Sequence, residues 1–346
     1  MELREIIETL CNVCAPSGFE EDAVSCASEL LRPLVSELKT DAMGNLIAVR
    51  RCGKDNAPLI MAEAHIDEIG LIVTGYEKGF LRFANVGGVD PRMLPAMEVT
   101  VLSDPPVFGV VDVLPPHVLS ESEREKPLPA DKLFIDVGLT QEDAEERIPR
   151  GTPVSFGTRC SRLGRHRLCG KSMDDRSCAA IVIRALELAG TQELSADVAI
   201  LLAVQEEVGC RGAITGAFNA APEAAVAVDV TFGDSPDAPK NKTFTLCKGP
   251  TIGVGPNMTR RISDRLAELA QEKNIPYQTE VLPGQSGTDA WPIQVSREGV
   301  ATGLLSLPLK YMHTPVEVMD LRDAEATAAL LAAWLVDYGK EDEPHA

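Results

Sequence analysis

The segment Asp197-Val-Ala-Ile-Leu-Leu-Ala-Val204 is almost entirely aliphatic, and Gln205-Glu-Glu-Val-Gly209 follows it directly. A short aliphatic run that ends at an acidic turn is typical of a buried strand, although a buried helix segment can have the same composition. In open α/β sheets the chemistry lies outside the carboxyl ends of the strands. The pair Glu206 and Glu207 therefore indicates either a functional site or two solvated charges at a strand end.

Composition restricts the classes of protein to which the chain can belong. Its 346 residues suit one large domain or two, and no run reaches the roughly 18 consecutive apolar residues of a membrane helix. Residues 1–10 form an acidic amphipathic pattern and not a signal peptide. Nine scattered cysteines favour reduced thiols, and the net charge of −19 disfavours binding to phosphate backbones. We expect a cytoplasmic protein with no nucleic acid partner and no membrane partner.

The order of predicted strands and helices indicates an α/β protein with a second domain inserted into the first. Apolar strands and amphipathic helices alternate in residues 1–69 and again in residues 168–346. Residues 70–167 instead contain short β-rich runs separated by Gly and Pro turns, which predicts an inserted small β domain. Near the start, Ser17-Gly-Phe-Glu20 matches a capping box ahead of a helix that continues to about Leu31.

Acidic and histidine side chains follow predicted strands, or begin predicted helices, at five separate places. These are His65-Ile-Asp67, Asp174-Asp175, Glu206-Glu207, Asp229 and His313. Imidazole and carboxylate ligands together suit divalent zinc, cobalt or manganese, and two ions that share one bridging carboxylate would use this many groups. Asp67 is suited to accept the free ring N–H of His65, as a carboxylate behind a ligand histidine commonly does.

Each of these groups also has a structural explanation. The pair Asp174-Asp175 fits favourable charge at a helix N-terminus, and His313 fits a hydrogen-bonded core histidine. Asp229 is harder to explain in this way, because it follows the apolar run Ala224-Ala-Val-Ala-Val228 and an unpaired buried carboxylate is costly. We therefore expect a cation close to Asp229.

Six motifs in this order resemble the glutamyl aminopeptidase and TET-peptidase (cellulase M-like) family of dinuclear metallopeptidases. The motifs are Ala64-His-Ile-Asp-Glu-Ile-Gly70, Gly170-Lys-Ser-Met-Asp-Asp-Arg176, Gln205-Glu-Glu-Val-Gly209, Val228-Asp-Val230, Ser286-Gly-Thr-Asp-Ala290 and Tyr311-Met-His-Thr-Pro315. The resemblance covers essentially the whole chain. It implies an α/β/α catalytic domain with a central mixed sheet of the zinc-peptidase type, plus a small β domain used in oligomerisation.

The resemblance also implies two divalent metal ions per chain, zinc or cobalt, with manganese as an alternative. The implied metal ligands are His65, Asp174, Glu207, Asp229 and His313, with Asp174 shared as the bridge. Glu206 is then the catalytic general base that takes a proton from water, and Asp67 supports the site. We expect an aminopeptidase acting on short peptides and forming homo-oligomers, from dimers to a tetrahedral dodecamer.

Three other functions remain open from the sequence. A metal-dependent deacylase would use the same scaffold, a glycoside hydrolase would use Glu206 and Glu207, and an assembly protein would lack catalysis. Neighbouring residues that point apart suit a glycoside hydrolase poorly, since its two carboxyls flank one bond. For the aminopeptidase we expect broad specificity with acidic N-terminal residues slightly ahead of leucine, attracted by Lys248, Arg260 or Lys310.

Overall fold

A computed structural model of the chain describes residues 1–118, 129–236 and 238–340. A central eight-stranded sheet runs through its larger part. In chain order its strands are β1 Glu37–Thr40, β2 Leu46–Arg50, β3 Leu59–His65, β12 Asp197–Ala203, β13 Ala224–Phe232, β14 Thr251–Val254, β15 Gln278–Val281 and β16 Ala301–Leu309. The segment from Asp197 is thus a strand, as its composition predicts.

The sheet is mixed, and its centre is parallel. The strand order is β1-β2-β12-β3-β13-β16-β14-β15. Strands β12, β3, β13 and β16 are mutually parallel, whereas β2 runs antiparallel to β12 and β14 antiparallel to β16. The carboxyl ends of four adjacent strands therefore meet at one edge of the sheet, where open α/β folds place their sites.

Helices cover both faces of this sheet, which gives the expected α/β/α layers. In chain order the α-helices of the described residues are α1 Leu3–Cys11, α2 Glu21–Leu31, α3 Gln141–Arg147, α4 Met173–Ala189, α5 Arg211–Ala220, α6 Arg260–Glu272, α7 Ala290–Gln294 and α8 Leu321–Asp337, of which α3 lies in the inserted segment. Along β12, Ile200 and Leu202 join one apolar cluster with α1 and α4, while Ala199 and Leu201 join another with α5. Burial on both faces explains why β12 is apolar throughout.

The inserted β-rich segment forms a closed six-stranded barrel with the strand order β4-β5-β8-β7-β6-β9. Its strands are β4 Gly70–Glu77, β5 Phe80–Val86, β6 Glu98–Val101, β7 Val107–Val111, β8 Ile135–Asp136 and β9 Pro153–Phe156. The barrel has a hydrophobic core of its own, which includes Leu71, Leu81 and Val99. Closure of the barrel leaves no free edge in this part of the sheet system.

A small three-stranded sheet joins the end of the inserted segment to the C-terminal part of the chain. It comprises β10 Ser161–Leu163, β11 Arg167–Gly170 and β17 Glu317–Asp320, and β11 pairs antiparallel with β17. This pairing brings Gly170, which precedes α4, opposite Glu317. Across the three described ranges, every helix is too short or too polar to cross a membrane.

Candidate metal centre and active site

The parallel strands bring the predicted site segments to one edge of the sheet. His65 is the last residue of β3, Asp229 lies in β13, and the Glu206-Glu207 pair follows β12. The register pairs His65 with Ala203 of β12. It also pairs Glu63 with Ala227, so Asp229 lies level with His65 two residues further along the neighbouring strand.

Asp174 contacts both histidines. Its Oδ1 lies 3.1 Å from Nε2 of His65, and its Oδ2 lies 3.3 Å from Nε2 of His313. Asp174 and Asp175 adopt non-helical backbone angles at the start of α4, and the peptide bond between them is cis. One carboxylate thus faces two imidazoles with different oxygens, which is the arrangement of a bridging ligand.

His65 is supported from behind by buried Asp67. The Oδ1 of Asp67 lies 3.3 Å from Nδ1 of His65, although no acceptor among the described residues lies in line with that ring N–H. His65 and Asp67 therefore interact electrostatically, without a well-aligned hydrogen bond between them. Asp67 also accepts hydrogen bonds from the backbone N–H groups of Glu206 and Glu207, at 3.1 and 3.2 Å. The same carboxylate thereby connects β3 to the acidic turn after β12.

His313 is held by a loop and by the inserted segment. Its backbone N–H donates to Oε1 of Glu317 at 2.9 Å, and its Nδ1 lies 3.1 Å from the carbonyl oxygen of Gly88. A carbonyl can only accept, so Nδ1 carries a proton, and the ring is oriented with Nε2 facing Asp174. Glu317, which is buried, also accepts from the backbone N–H of Asp174.

The site contains more buried negative charge than its histidines can balance. Burial raises the pKa of Glu206 to about 7 and the pKa of Glu207 to about 8, and burial also raises the pKa of Asp229 well above its usual range. The hydrogen bond to Asp174 raises the pKa of His313 to about 10. Such crowding is costly without a cation, so the site is suited to bind one.

The donor atoms fit divalent ions. His65, Asp174 and Glu207 offer ligand atoms within 4.8 Å of one another, and His65, Asp175 and Asp229 form a second such group. Imidazole nitrogen and carboxylate oxygen are donors suited to zinc, cobalt and manganese. The second group contains Asp175 where the resemblance implies Asp174. However, Oδ2 of Asp175 accepts the backbone N–H of His65 at 3.2 Å, and Asp174 alone contacts both histidines.

The structure adds residues that were not selected from the sequence. Buried Glu68 receives Nζ of Lys171 at 2.6 Å, and Arg176 lies 3.7 Å away. Burial raises the pKa of Glu68, but Lys171 and Arg176 lower it overall, to about 2. Asp289 is buried with both carboxylate oxygens unpaired among the described residues. Glu68 and Asp289 lie inside the quoted motifs, whereas no sequence signal pointed to Glu317 or Gly88.

A cavity of about 540 Å³ opens from the site and extends over the edge of the sheet. Glu280 is among its lining residues, and no lysine or arginine among the described residues lines it. We expected Lys248, Arg260 or Lys310 to attract an acidic substrate side chain. None of these three residues lines the cavity, so this expectation is wrong. The side chain of Arg260 is 93% exposed at the start of α6, and Nζ of Lys310 lies 3.9 Å from Asp234.

Comparison with known proteins identifies the family. Residues 44–330 match the family model described as M42 glutamyl aminopeptidase. The chain is 38% identical over 337 residues to a lysyl aminopeptidase of Pyrococcus furiosus, and the match covers 96% of each protein. An aminopeptidase structure from Desulfurococcus kamchatkensis is 35% identical with a TM-score of 0.90, covering 97% of this chain and 94% of that one.

A third comparison extends the agreement to a protein of known assembly. The TET1 peptidase of Pyrococcus horikoshii, which can assemble into a tetrahedron or a large octahedral shell, is 30% identical to this chain. Its TM-score is 0.86, with 97% of this chain and 100% of that chain covered. The resemblance inferred from the six motifs is confirmed, and the chain belongs to the M42 glutamyl aminopeptidase family.

Proposed function

We propose that this aminopeptidase removes single N-terminal residues from short peptides by metal-dependent hydrolysis. The observation that carries the proposal is the position of Asp174, whose two oxygens lie 3.1 and 3.3 Å from Nε2 of His65 and of His313. Membership of an aminopeptidase family supports the reaction type. The crowded, buried carboxylates around Asp174 support its dependence on a cation.

We assign two divalent ions to five ligand residues. One ion would be held by His65, Asp174 and Asp229, and the other by Asp174, Glu207 and His313. Zinc or cobalt suits these ligands best, with manganese as the alternative. When bound, such ions supply Lewis acidity that polarises the scissile carbonyl and lowers the pKa of water. The 3.5 Å separation of His313 Nε2 from Glu207 Oε2 supports the second group.

Glu206 is the general base in this proposal. Its Oε2 lies 3.9 Å from Nε2 of His65, and its Oε1 accepts from the thiol of Cys210 at 3.3 Å. Burial raises its pKa to about 7, which suits a group that takes a proton from water and returns it to the leaving amine near neutral pH. Asp67 positions the base, because it accepts the backbone N–H of Glu206 at 3.1 Å.

The same scaffold also suits a deacylase, so the test compares a substrate that has a free N-terminal amine with one whose amine is acetylated. We expect cleavage of leucine nitroanilide but not of its N-acetyl form, loss of activity with a chelator, and recovery with zinc, cobalt or manganese. Release of acetate from N-acetyl-leucine nitroanilide, without cleavage of leucine nitroanilide, would favour a metal-dependent deacylase. Hydrolysis of a soluble cellulose derivative, with no cleavage of either amide, would favour the glycoside hydrolase.

We further propose that residues 70–167 form an inserted domain for homo-oligomerisation, with the catalytic domain built from residues 1–69 and 168–346. Large apolar side chains are exposed on and beside the barrel, including Phe108 at 61% and Val118 at 66%. Exposed apolar side chains of this kind commonly mark interaction surfaces. By analogy with the TET1 peptidase, which is described as a dodecamer and as able to form a tetrahedron, we expect assembly from dimers to a tetrahedral dodecamer. All nine cysteines are free, which supports a cytoplasmic location.

Light scattering tests the assembly proposal. The protein should have a mass of at least twice the chain mass. Phe108→Glu should lower the measured mass, because it would place a charge in an apolar contact between chains. Phe218→Glu is the matched control, because Phe218 is 56% exposed and lies on α5, outside residues 70–167. A monomeric wild-type protein at micromolar concentration would contradict the proposal without affecting the assignment of the active site.

A further inference from the structure

Glu280 is an acidic residue of the active-site cavity that is not among the proposed metal ligands. It lies on β15 and lines the same cavity as His65 and Asp174. Its Oε1 accepts the hydroxyl of Thr231 at 2.8 Å, and its Oε2 accepts the hydroxyl of Thr251 at 2.7 Å. Both partners are neutral, and within the described ranges no lysine, arginine or histidine forms an ion pair with this carboxylate.

Thr231 fixes the distance between Glu280 and the proposed metal centre. It lies two residues after Asp229 on β13, so the two side chains emerge from the same face of the strand, about 7 Å apart. Glu280 accepts a hydrogen bond from the side chain of Thr231. The distance from Glu280 to the carboxylate of Asp229 is therefore about the length of one long side chain. A long substrate side chain that extends from the proposed metal centre along β13 would reach Glu280.

The cavity between these two points has apolar walls, which include Leu282, Trp291 and Leu304. Such walls suit the methylene stem of a long side chain that carries its charge at the tip. A carboxylate has about four lone-pair sites, and Glu280 uses two of them for the threonine hydroxyls. Two sites are left for an ammonium or guanidinium group, whereas an acidic substrate side chain would be repelled.

We infer that this cavity selects an N-terminal residue with a basic side chain, lysine or arginine, and that Glu280 is the residue that determines this specificity. The inference rests on the proposed aminopeptidase function. The names of the family and its members differ on this point, since the family is described as glutamyl and one relative as lysyl. Specificity is therefore inferred from the charge and position of Glu280 in this chain.

The test compares lysine nitroanilide with norleucine nitroanilide, which has the same four-carbon stem without the charge. For the wild-type enzyme we expect kcat/KM for lysine to exceed that for norleucine at least about tenfold, and glutamate nitroanilide to be slowest. In Glu280→Gln the ratio of kcat/KM for lysine to that for norleucine should fall to about one. Glu280→Lys should invert the order of the lysine and glutamate substrates.

Glu268→Gln is the matched control, because Glu268 is an exposed acid on α6 that does not line the cavity. Its ratio of lysine to norleucine should equal that of the wild type. Equal rates of the wild-type enzyme on lysine and norleucine would overturn the inference, and this measurement requires no variant. A persistent lysine preference in active Glu280→Gln would also overturn it.

Two further outcomes would distinguish a failure of the proposed specificity from a failure of the proposed function. If Glu280→Gln lost activity on all substrates equally while keeping its melting temperature, Glu280 would act in catalysis and its role in specificity would be overturned. If the wild-type enzyme with zinc, cobalt or manganese cleaved none of the free-amine substrates, the proposed function itself would fail. Cleavage of norleucine and leucine substrates without a lysine preference would instead leave the proposed function intact and overturn only the specificity.

Discussion

The two histidines of the site are supported in different ways. His65 ends a central parallel strand, is only 2% exposed, and has Asp67 directly behind it. The side chain of His313 is 36% exposed, lies in a loop, and takes its orientation from the carbonyl of Gly88 in the inserted segment. The topology of the sheet therefore builds one half of the site, while contacts from a separate barrel complete the other half.

Asp174 joins the two halves, so its loss should have the largest effect. Asp174→Asn keeps the shape of the side chain but removes its charge, and we expect loss of both ions and of activity down to background. Elemental analysis and nitroanilide turnover measure these outcomes. Asp264→Asn serves as the control, because Asp264 is an exposed partner of Arg260 on α6. Two tightly held ions in Asp174→Asn would show that the halves do not share a ligand.

Glu206→Gln separates catalysis from metal binding. Glu206 is not among the five proposed ligands, so the variant should keep both ions. Turnover should fall by about 10²–10⁴-fold, which is the usual contribution of a general base. Glu207→Gln should differ, because Glu207 lies on the His313 side and its loss should weaken the ion there. Near-normal turnover of Glu206→Gln would exclude Glu206 as the base.

Gly88→Ala tests the dependence of His313 on the inserted segment. A Cβ at this position would lie 2.6 Å from Nδ1 of His313, so the ring must move. Because changes to the groups that orient a metal ligand cost about 10–100-fold in metal affinity, we expect a loss of this size for one ion and little change for the other. Metal titration by calorimetry measures both affinities.

Gly75→Ala is the matched control for Gly88→Ala. Gly75 lies on the barrel strand β4, and a Cβ there meets no atom within 4 Å. We expect its metal affinities to equal those of the wild type. Equal affinities in Gly88→Ala as well would mean that the barrel does not tune the site, and the contrast between the two histidines would lose its functional meaning.

The same contrast explains what the sequence predicted and what it did not. Strand ends that carry His65, Asp229 and the Glu206-Glu207 pair were predictable, since apolar runs identify parallel strands and these strands align their carboxyl ends. Gly88 was not, because its contact with His313 spans 225 positions of the chain and involves only a backbone carbonyl. Contacts of that kind leave no pattern in residue types.

The predicted capping box at Ser17 and Glu20 was wrong for a related reason. Helix α2 begins at Glu21 without a side-chain cap, and the hydroxyl of Ser17 donates to Asp67 instead. Glu20 accepts the backbone N–H groups of Gly18 and Gln205. Capping is a local preference, and a buried carboxylate from a distant strand can compete for the same hydroxyl.

The smallest effect on activity is expected at Glu68, which lies close to His65 and contributes to the stability of the fold. Glu68, three residues after His65, is buried against Lys171 and Arg176, which lower its pKa from 4.5 to about 2. A lowered pKa in the folded state stabilises the protein above pH 4.5, and this stabilisation is lost as the pH falls toward 2. The difference corresponds to about 3 kcal/mol of unfolding free energy.

We therefore expect the unfolding free energy of the wild-type protein to fall more steeply between pH 5 and about pH 2 than that of Glu68→Gln, which cannot titrate at this position. Urea unfolding at several pH values measures the slopes, after chelation so that the release of metal does not contribute. Glu298→Gln, at an exposed position, should keep the wild-type slope. Parallel curves for the wild type and Glu68→Gln would mean that Glu68 is not held ionised by its neighbours. The His65 half would then owe its rigidity to strand pairing and apolar packing alone.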